Sequence, residues 1–356
     1  MRKLKLHPCG KFNEQYEEEL TIFSTDFGRL WMWVGIVLLF AVVPFISSHY
    51  HLYVINHIGI AAIAAIGLNI LIGYTGQISL GHGAFFGVGA YAAAILATRV
   101  GFPFWLSVIS AGVITALVGV VFGLPSVRLK HLYLTIATLA GQFILQYLFV
   151  SWESLTKGPE GIMLPRASLL GFDIKGDRTF YYVIFVCFVI LTWVAVNLIR
   201  TRFGRAFIAI RDNDRAAEGM GIPIFKYKLL SFAISSFYAG FAGGLAAYYI
   251  GSITPEPYTL MLSVEYIAMI IIGGLGSIPG AVFGAIFITV LNEILSQSTQ
   301  FFMNIEGLAK IALTIAPLRE FVFGLAIVFF IIFEPKGLAE VWRIIRSGFR
   351  LWPFSY

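Results

Sequence analysis

The chain has 356 residues, of which 58% are hydrophobic and 12% are charged, and its formal net charge is +6. Because soluble domains carry about 25% charged residues, this composition excludes an ordinary water-soluble domain and indicates a polytopic membrane protein. The Lys and Arg residues lie in loops between apolar segments, which is typical of membrane orientation, so no nucleic-acid partner is predicted.

Apolar segments of about 20 residues, the length that crosses a bilayer as a helix, recur along the chain. They predict an all-α polytopic bundle of about ten spans, with eight or nine as alternatives, in a transmembrane domain over 30–333. The segments before and after it, 1–29 and 334–356, are predicted to be polar cytoplasmic tails. The predicted spans are Leu30–Ser47, Tyr53–Ile72, Gly83–Thr98, Phe104–Leu124, Leu132–Ser151, Phe180–Leu198, Leu229–Ile250, Tyr258–Ile272, Ile278–Leu295 and Phe321–Phe333.

Positive charge is divided unequally between the two sets of loops that ten spans create. Eighteen Lys and Arg residues lie in the two tails, near Arg128 and in the loop 200–228, whereas seven lie in the other set, which includes the loop 152–179. Since loops rich in Lys and Arg remain in the cytoplasm, this pattern predicts both termini inside and the loop 152–179 outside.

One stretch, Gly73–Tyr91, departs from the pattern of a simple membrane helix. Its sequence is GYTGQISLGHGAFFGVGAY, with six glycines and no fixed charge. Gly lowers helix stability by about 1 kcal/mol relative to Ala, so the cluster predicts a helix break. Similar glycines 200 residues later predict a second break through an internal duplication, although Gly-rich apolar segments also match by chance. The glycines assigned to the breaks are Gly73, Gly76, Gly81, Gly83, Gly273, Gly276 and Gly280.

Polar side chains in and around these segments have two interpretations. In a transporter, polar residues at membrane depth face a cavity along the path of a polar solute. In helix packing, the same groups form hydrogen bonds between helices at small residues. The residues predicted to line a translocation path are Asn69, Tyr74, Thr75, Gln77, Ser79, His82 and Glu265.

Ionisable residues elsewhere in the apolar segments are few. Glu265 is the acidic residue well inside a predicted span, where it could line the cavity, pair with Arg or His, or lie nearer the interface. His49, His51 and His57 cluster near the outer end of the first two spans without Cys or carboxylate neighbours. We interpret them as interfacial imidazoles, so no metal site is predicted.

The loop 200–228 mixes charges of both signs and ends in small residues. Arg205–Glu218 is predicted to form one short helix, terminated by Gly219, Gly221 and Pro223. A charged face of this kind is often only solvated, but the small residues also allow a partner protein to approach closely.

Three segments together resemble a known family. GYTGQISLGHGAFFGVGAY, RTRFGRAFIAIRDNDRAAEGMGI and GGLGSIPGAVFGA are similar, in the same order, to segments of the M-type permease subunit of branched-chain amino acid ABC importers. The resemblance covers the chain from about Gly67 to Leu295. Permeases for urea and short amides, and more distantly for ribose and other sugars, form sister groups that match the first segment less well.

The resemblance implies an ABC importer permease fold in the bacterial plasma (inner) membrane. It also implies that the charged part of the loop 200–228 is a coupling helix that docks on an ATPase subunit. The coupling residues assigned in this way are Arg205, Arg211, Asp212, Asn213, Asp214, Arg215, Glu218, Gly219 and Gly221.

The implied function is import of Leu, Ile or Val driven by ATP. The implied partners are a homologous second permease, two cytoplasmic ATPase subunits that bind ATP and Mg²⁺, and an extracytoplasmic binding protein. No P-loop, HExxH, CxxC or GxSxG motif occurs, so the chain is predicted to be neither an enzyme nor a cofactor-binding protein. The alternatives are a urea or short-amide permease, or a stand-alone secondary transporter or channel, which needs coupling-ion carboxylates or a charged filter within its spans.

Overall fold

A computed structural model of the chain describes residues 26–128, 132–169, 172–174, 176–303, 318–334 and 336–351. Helices account for most of these residues. In chain order they are α1 (Asp26–Ile46), α2 (His49–Asn69), α3 (His82–Ile95), α4 (Phe104–Arg128), α5 (Leu132–Ser151), α6 (Glu153–Thr156), α7 (Gly176–Arg200), α8 (Arg202–Asp212), α9 (Asp214–Gly219), α10 (Ile224–Ile250), α11 (Leu260–Gly273), α12 (Ile278–Met303), α13 (Leu318–Phe333) and α14 (Leu338–Leu351).

Seven of the described helical segments are long and apolar enough to cross a membrane, which confirms an all-α polytopic membrane protein. They are His49–Tyr74, His82–Val100, Phe104–Leu124, Tyr133–Ser151, Gly176–Arg200, Ile224–Ile250 and Ile278–Ser298. Three shorter apolar helices coincide with the remaining predicted spans: Val37–Ile46, Leu260–Gly273 and Phe321–Phe330. The count of ten and the orientation of the termini stay predictions.

Helix α10 lies at the centre of the bundle and contacts α2, α3 and α4. In its most apolar stretch 67% of the residues are buried inside the chain, against 17% for α7, which identifies α10 as core and α7 as peripheral. Small residues bring the backbones together, since a Cβ atom added to Gly89 would collide with the backbone of Gly240. Close backbone approach at small residues is the usual way in which membrane helices associate.

The predicted outer loop 152–179 contains short elements rather than a domain. After α6 come a 3₁₀ turn, Gly158–Glu160, and three two-residue strands, β1 (Ile162–Met163), β2 (Ser168–Leu169) and β3 (Phe172–Asp173). Strand β1 pairs antiparallel with β4 (Ser252–Ile253), and β2 pairs antiparallel with β3. The pairing of β1 with β4 ties this loop to the end of α10.

The loop 200–228 contains two short helices, so the prediction of a single helix over Arg205–Glu218 is wrong. The chain changes direction at Asn213, which has extended backbone (φ −161°). Its side-chain oxygen accepts hydrogen bonds from the backbone N–H groups of Arg215 and Ala216, both at 3.1 Å. Asn213 is therefore the N-cap of α9, and such a cap favours a new helix over continuation of the old one.

The predicted tails are partly described. Residues 1–25 and 352–356 lie outside the described residues, and α1 begins at Asp26, inside the predicted first tail. In the second tail, α14 packs on α12, with Trp342 and Phe283 ring centroids 6.0 Å apart. A hydrogen bond from Arg343 lowers the pKa of Glu340.

Candidate functional site: two helix breaks, a cavity and a charged loop

The first helix break follows α2. A π-helical turn, Ile70–Tyr74, ends that helix, the backbone is non-helical from Thr75 to Gly81, and α3 begins at His82. Gly76 has φ +74°, a conformation that favours glycine. Gly81 lies at the end of the break, as the N-cap of α3, whereas Gly83 lies in the first turn of α3.

Side chains from other helices satisfy the backbone of this first break. Leu80 N–H donates to Thr138 Oγ1, on α5, at 3.1 Å. At the start of α3, Gly83 N–H donates to Ser263 Oγ and Ala84 N–H donates to Gln142 Oε1, both at 2.8 Å. The first four N–H groups of any helix lack intrahelical partners, and non-helical backbone inside a membrane needs cover from protein. Here, side chains of other helices provide the partners for the first N–H groups of α3 and the cover for the non-helical backbone.

The second break separates α11 from α12. Gly273 is the last residue of α11, and Gly274 and Gly276 follow with φ +119° and +73°. Gly280 lies within the first turn of α12. The two breaks pack directly against each other, because a Cβ atom added to Gly73 would collide with the backbone nitrogen of Gly276. Only glycine at position 73 permits this contact.

Asn69 joins the two breaks with both ends of its carboxamide. Its Nδ2 donates to the Ser277 carbonyl at 2.7 Å, and its Oδ1 accepts from Gly276 N–H at 3.0 Å. The side chain is completely buried. A residue predicted to line a path thus holds the backbone of the second break.

Other predicted path residues are also buried and bonded within the chain. Thr75 donates to the Ile70 carbonyl, and His82 Nε2 donates to the Ala64 carbonyl at 3.0 Å. Gln77 Nε2 donates to Ser231 Oγ at 2.7 Å.

Ser79 Oγ accepts from Gly81 N–H, and the Tyr74 hydroxyl hydrogen-bonds to the backbone of Ile278. Both side chains are buried. Four of these six polar residues bond to another helix or break, as the helix-packing interpretation predicts, whereas Thr75 and Ser79 bond within the first break. The role of all six in translocation stays a prediction.

Gln142 and Ser263 were not among the residues predicted from the sequence. Gln142 is completely buried, accepts from Ala84 N–H and from Ser263 Oγ, and donates to the Tyr258 carbonyl at 3.0 Å. The available signal was a Gln in the middle of an apolar span, since such a polar group must find partners inside the bundle.

A cavity of about 430 Å³ lies between α2, α10, α11 and α12, towards the end of the bundle that holds β4. The apolar residues that line it include Phe86, Leu262 and Met269. Its polar wall includes Glu265, on α11, and Asn292, on α12, whose Nδ2 lies 3.4 Å from Glu265 Oε1. Of the seven predicted path residues, Glu265 is the one that lines this cavity.

The polar wall continues towards the first residues of α2. Glu293 and His57 also line the cavity. The Tyr50 hydroxyl donates to Glu293, and His57 Nε2 lies 3.0 Å from the Tyr53 hydroxyl. Within the ranges that the structure describes, no group of three or more His, Cys, Asp or Glu residues is arranged to hold a metal ion.

The charged loop lies beside the two breaks and has an outer and an inner face. On the outer face, Arg215 and Glu218 are exposed, and a Cβ atom added to Gly219 or Gly221 would meet no other atom. Arg205 is exposed as well.

On the inner face of the same loop, Phe207 and Ala217 are completely buried. Asp214 pairs with Lys228 at 2.6 Å, and Asp212 pairs with Arg211 at 3.0 Å. Asp214 is half-buried, whereas Arg211 and Asp212 are exposed, so this last pair is both bonded within the chain and open to a partner.

Comparison with known proteins assigns the chain to a family. Residues 50–331 match the family described as branched-chain amino acid transport system / permease component. The chain belongs to this family. The match includes both helix breaks, the cavity and the charged loop, so these features lie within the permease region, and no solved structure matches the chain.

Individual relatives are similar over different shares of this permease. The high-affinity branched-chain amino acid transport system permease protein LivM of Escherichia coli is 31% identical over 298 residues, 77% of this chain and 70% of LivM. The probable branched-chain amino acid transport permease protein LivH of Methanocaldococcus jannaschii is 29% identical over 240 residues, 65% of this chain and 76% of LivH. The fructose import permease protein FrcC of Rhizobium meliloti is 30% identical over 206 residues, 54% of this chain and 56% of FrcC.

Proposed function

We propose that this permease is the membrane-spanning subunit of an ATP-driven importer for branched-chain amino acids. The observation that carries the proposal is the similarity to LivM over 77% of the chain. The chain is then a transport subunit without catalytic residues or cofactor, and ATP and Mg²⁺ bind to separate ATPase subunits. We place it in the bacterial inner membrane.

The lining of the cavity favours an amino acid with an apolar side chain as the cargo. Glu265 and Glu293 line the cavity with carboxylates, which suit the ammonium group of an amino acid. Phe86, Leu262 and Met269 present apolar surface to the same cavity, which suits a branched aliphatic side chain. Urea and sugars carry neither an ammonium group nor an aliphatic side chain, so this wall composition favours amino acids over them.

The outer face of the charged loop supports docking on an ATPase subunit. Arg215 and Glu218 offer charges of both signs, and the open space at Gly219 and Gly221 lets another surface come close. A second permease, of the kind that LivH represents among the relatives, completes the path on the other side of the cavity. An extracytoplasmic binding protein delivers the amino acid, and closure of two ATPase subunits moves the charged loops.

Reconstitution of the complete importer in liposomes tests this proposal. We expect uptake of labelled leucine that requires the binding protein, ATP and both ATPase subunits. Labelled urea and fructose serve as cargo controls, and we expect neither to be taken up. Uptake of leucine without ATPase subunits would contradict the proposal in favour of a secondary transporter, and uptake of urea or fructose instead of leucine would contradict the cargo.

A further inference from the structure

Arg211, at the end of α8, contacts the first helix break. Its Nη1 donates a hydrogen bond to the Gly73 carbonyl at 2.9 Å, across 138 residues of sequence. Its Nε and Nη2 both lie 3.0 Å from Asp212 Oδ1. The guanidinium therefore joins the charged loop to the point where α2 leaves helical geometry.

The Arg211 side chain also lies against one glycine of each break, Gly76 in the first and Gly276 in the second. A Cβ atom added to Gly76 would lie 3.1 Å from Arg211 Cγ, and one added to Gly276 would lie 3.2 Å from Arg211 Nη1. Gly76 and Gly276 have nearly the same left-handed φ, +74° and +73°. Because neither residue has a side chain, a single Arg fits against both breaks.

The Gly73 carbonyl accepts from Arg211 because the helix stops there. The next N–H groups bond elsewhere, Gly76 N–H to the Ile72 carbonyl and Gln77 N–H to the Leu71 carbonyl. Carbonyls at a helix C-terminus lack intrahelical partners and carry the negative end of the helix dipole, so a guanidinium is a suitable donor. A hydrogen bond to a charged donor is about twice as strong as a neutral one.

We propose that Arg211 is the positioning residue through which movement of α8 and α9 reaches both helix breaks. Movement of the guanidinium displaces Gly73, and Asn69, which is bonded to Gly276 and Ser277, passes the displacement to the second break. This assignment rests on the proposed ATP-driven function, because the ATPase subunits supply the movement. It also distinguishes Arg211, whose guanidinium bonds to the Gly73 carbonyl, from Arg215, which is exposed on the outer face of the loop.

The first test measures the ratio of leucine transported to ATP hydrolysed in the reconstituted importer. Arg211→Met removes the donors and keeps the side chain long, and Arg211→Lys keeps one charged donor. We expect both variants to assemble, with leucine per ATP at least about tenfold lower for Arg211→Met and partly restored for Arg211→Lys. Arg202→Met is the matched control, because Arg202 lies exposed in α8 over Phe203, and its ratio should not change.

The second test does not depend on the cargo. Ile78 lies in the first break with 47% of its surface exposed, so Ile78→Cys, with Cys9 and Cys187 replaced by Ser, reports on the break through its labelling rate. We expect nucleotide binding by the ATPase subunits to change this rate at least about threefold when Arg211 is present. With Arg211→Met, nucleotide should leave the rate unchanged.

The outcomes separate this proposal from the proposed function. An unchanged leucine-to-ATP ratio, or nucleotide-dependent labelling that persists with Arg211→Met, overturns the role of Arg211. Loss of assembly with both Arg211 variants also overturns it, because Arg211 would then only maintain the fold. If the original complex takes up no leucine but its labelling depends on nucleotide and on Arg211, the cargo is wrong and the positioning role stands. If no ATPase subunit binds the chain, both proposals fail.

Discussion

The helix breaks and the cavity both contain buried polar groups, but they use them differently. At the breaks, Asn69 and Gln142 direct their polar atoms to backbone groups of this chain, and both are completely buried. In the cavity, Glu265 and Glu293 lie on a wall that faces open volume. The polar groups at the breaks complete irregular backbone, and we propose that those in the cavity receive a solute. Changes at Gly73, Gln142 and Glu265 test these two uses.

The largest effect is expected from adding a methyl group where the breaks touch. Gly73→Ala places a Cβ atom against Asn69 and the Gly276 backbone. Since neither neighbour can move without breaking the hydrogen bonds of Asn69, we expect a loss of about 3 kcal/mol or more of unfolding free energy. The measurement is thermal unfolding of the purified complex in detergent. Gly324→Ala, in open space on α13, is the matched control and should not lower the free energy, because Ala favours a helix by about 1 kcal/mol relative to Gly.

The next effect concerns the side chain that caps α3. Gln142→Leu leaves Ala84 N–H and the Tyr258 carbonyl without this partner inside the bundle. Each unpaired buried group costs about 1–3 kcal/mol, so with two such groups we expect a loss of about 2 kcal/mol or more. Gln146→Leu, one turn further along α5, is the control. Equal unfolding temperatures for the two variants would show that Gln142 does not stabilise the first break.

In the cavity we expect a smaller change in unfolding free energy but a large change in leucine uptake. Glu265→Gln keeps the size of the side chain and removes its charge, so we expect leucine uptake at least about tenfold lower with unfolding free energy changed by less than about 1 kcal/mol. Glu256→Gln, exposed in the loop between α10 and α11, should leave uptake unchanged. Normal uptake with Glu265→Gln would show that the cavity does not contact the ammonium group.

The smallest effect is expected from single charges on the outer face of the loop. An exposed ion pair contributes about 0–1 kcal/mol, so Arg215→Glu should lower cargo-stimulated ATP hydrolysis by less than about fivefold. Gly219→Trp should act more strongly, because it holds the two surfaces apart at a position where a side chain meets nothing within the chain. Normal stimulation with both changes combined would place the ATPase interface elsewhere.

Composition and apolar length were sufficient to predict the fold class, because hydrophobicity is a local property of each segment. Clustered glycines likewise pointed to irregular backbone near Gly73 and Gly273. The partners of the polar residues were not predictable, since the bond from Gly276 to Asn69 joins residues 207 positions apart. The division of Arg205–Glu218 into two helices depended on the cap formed by Asn213, a short-range signal that the charge pattern concealed.

The most direct test of the difference between the breaks and the cavity is thiol labelling of one position in each region. Ser79→Cys lies in the first break, where Ser79 is 1% exposed, and Thr289→Cys lies on the cavity wall. Both are placed in a chain with Cys9 and Cys187 replaced by Ser, in the assembled importer, and treated with a small water-soluble thiol reagent. We predict that Thr289→Cys reacts, that leucine slows its reaction, and that Ser79→Cys remains unreactive. Reaction of Ser79→Cys with protection by leucine, and none at Thr289→Cys, would contradict the account and place the path at the helix break.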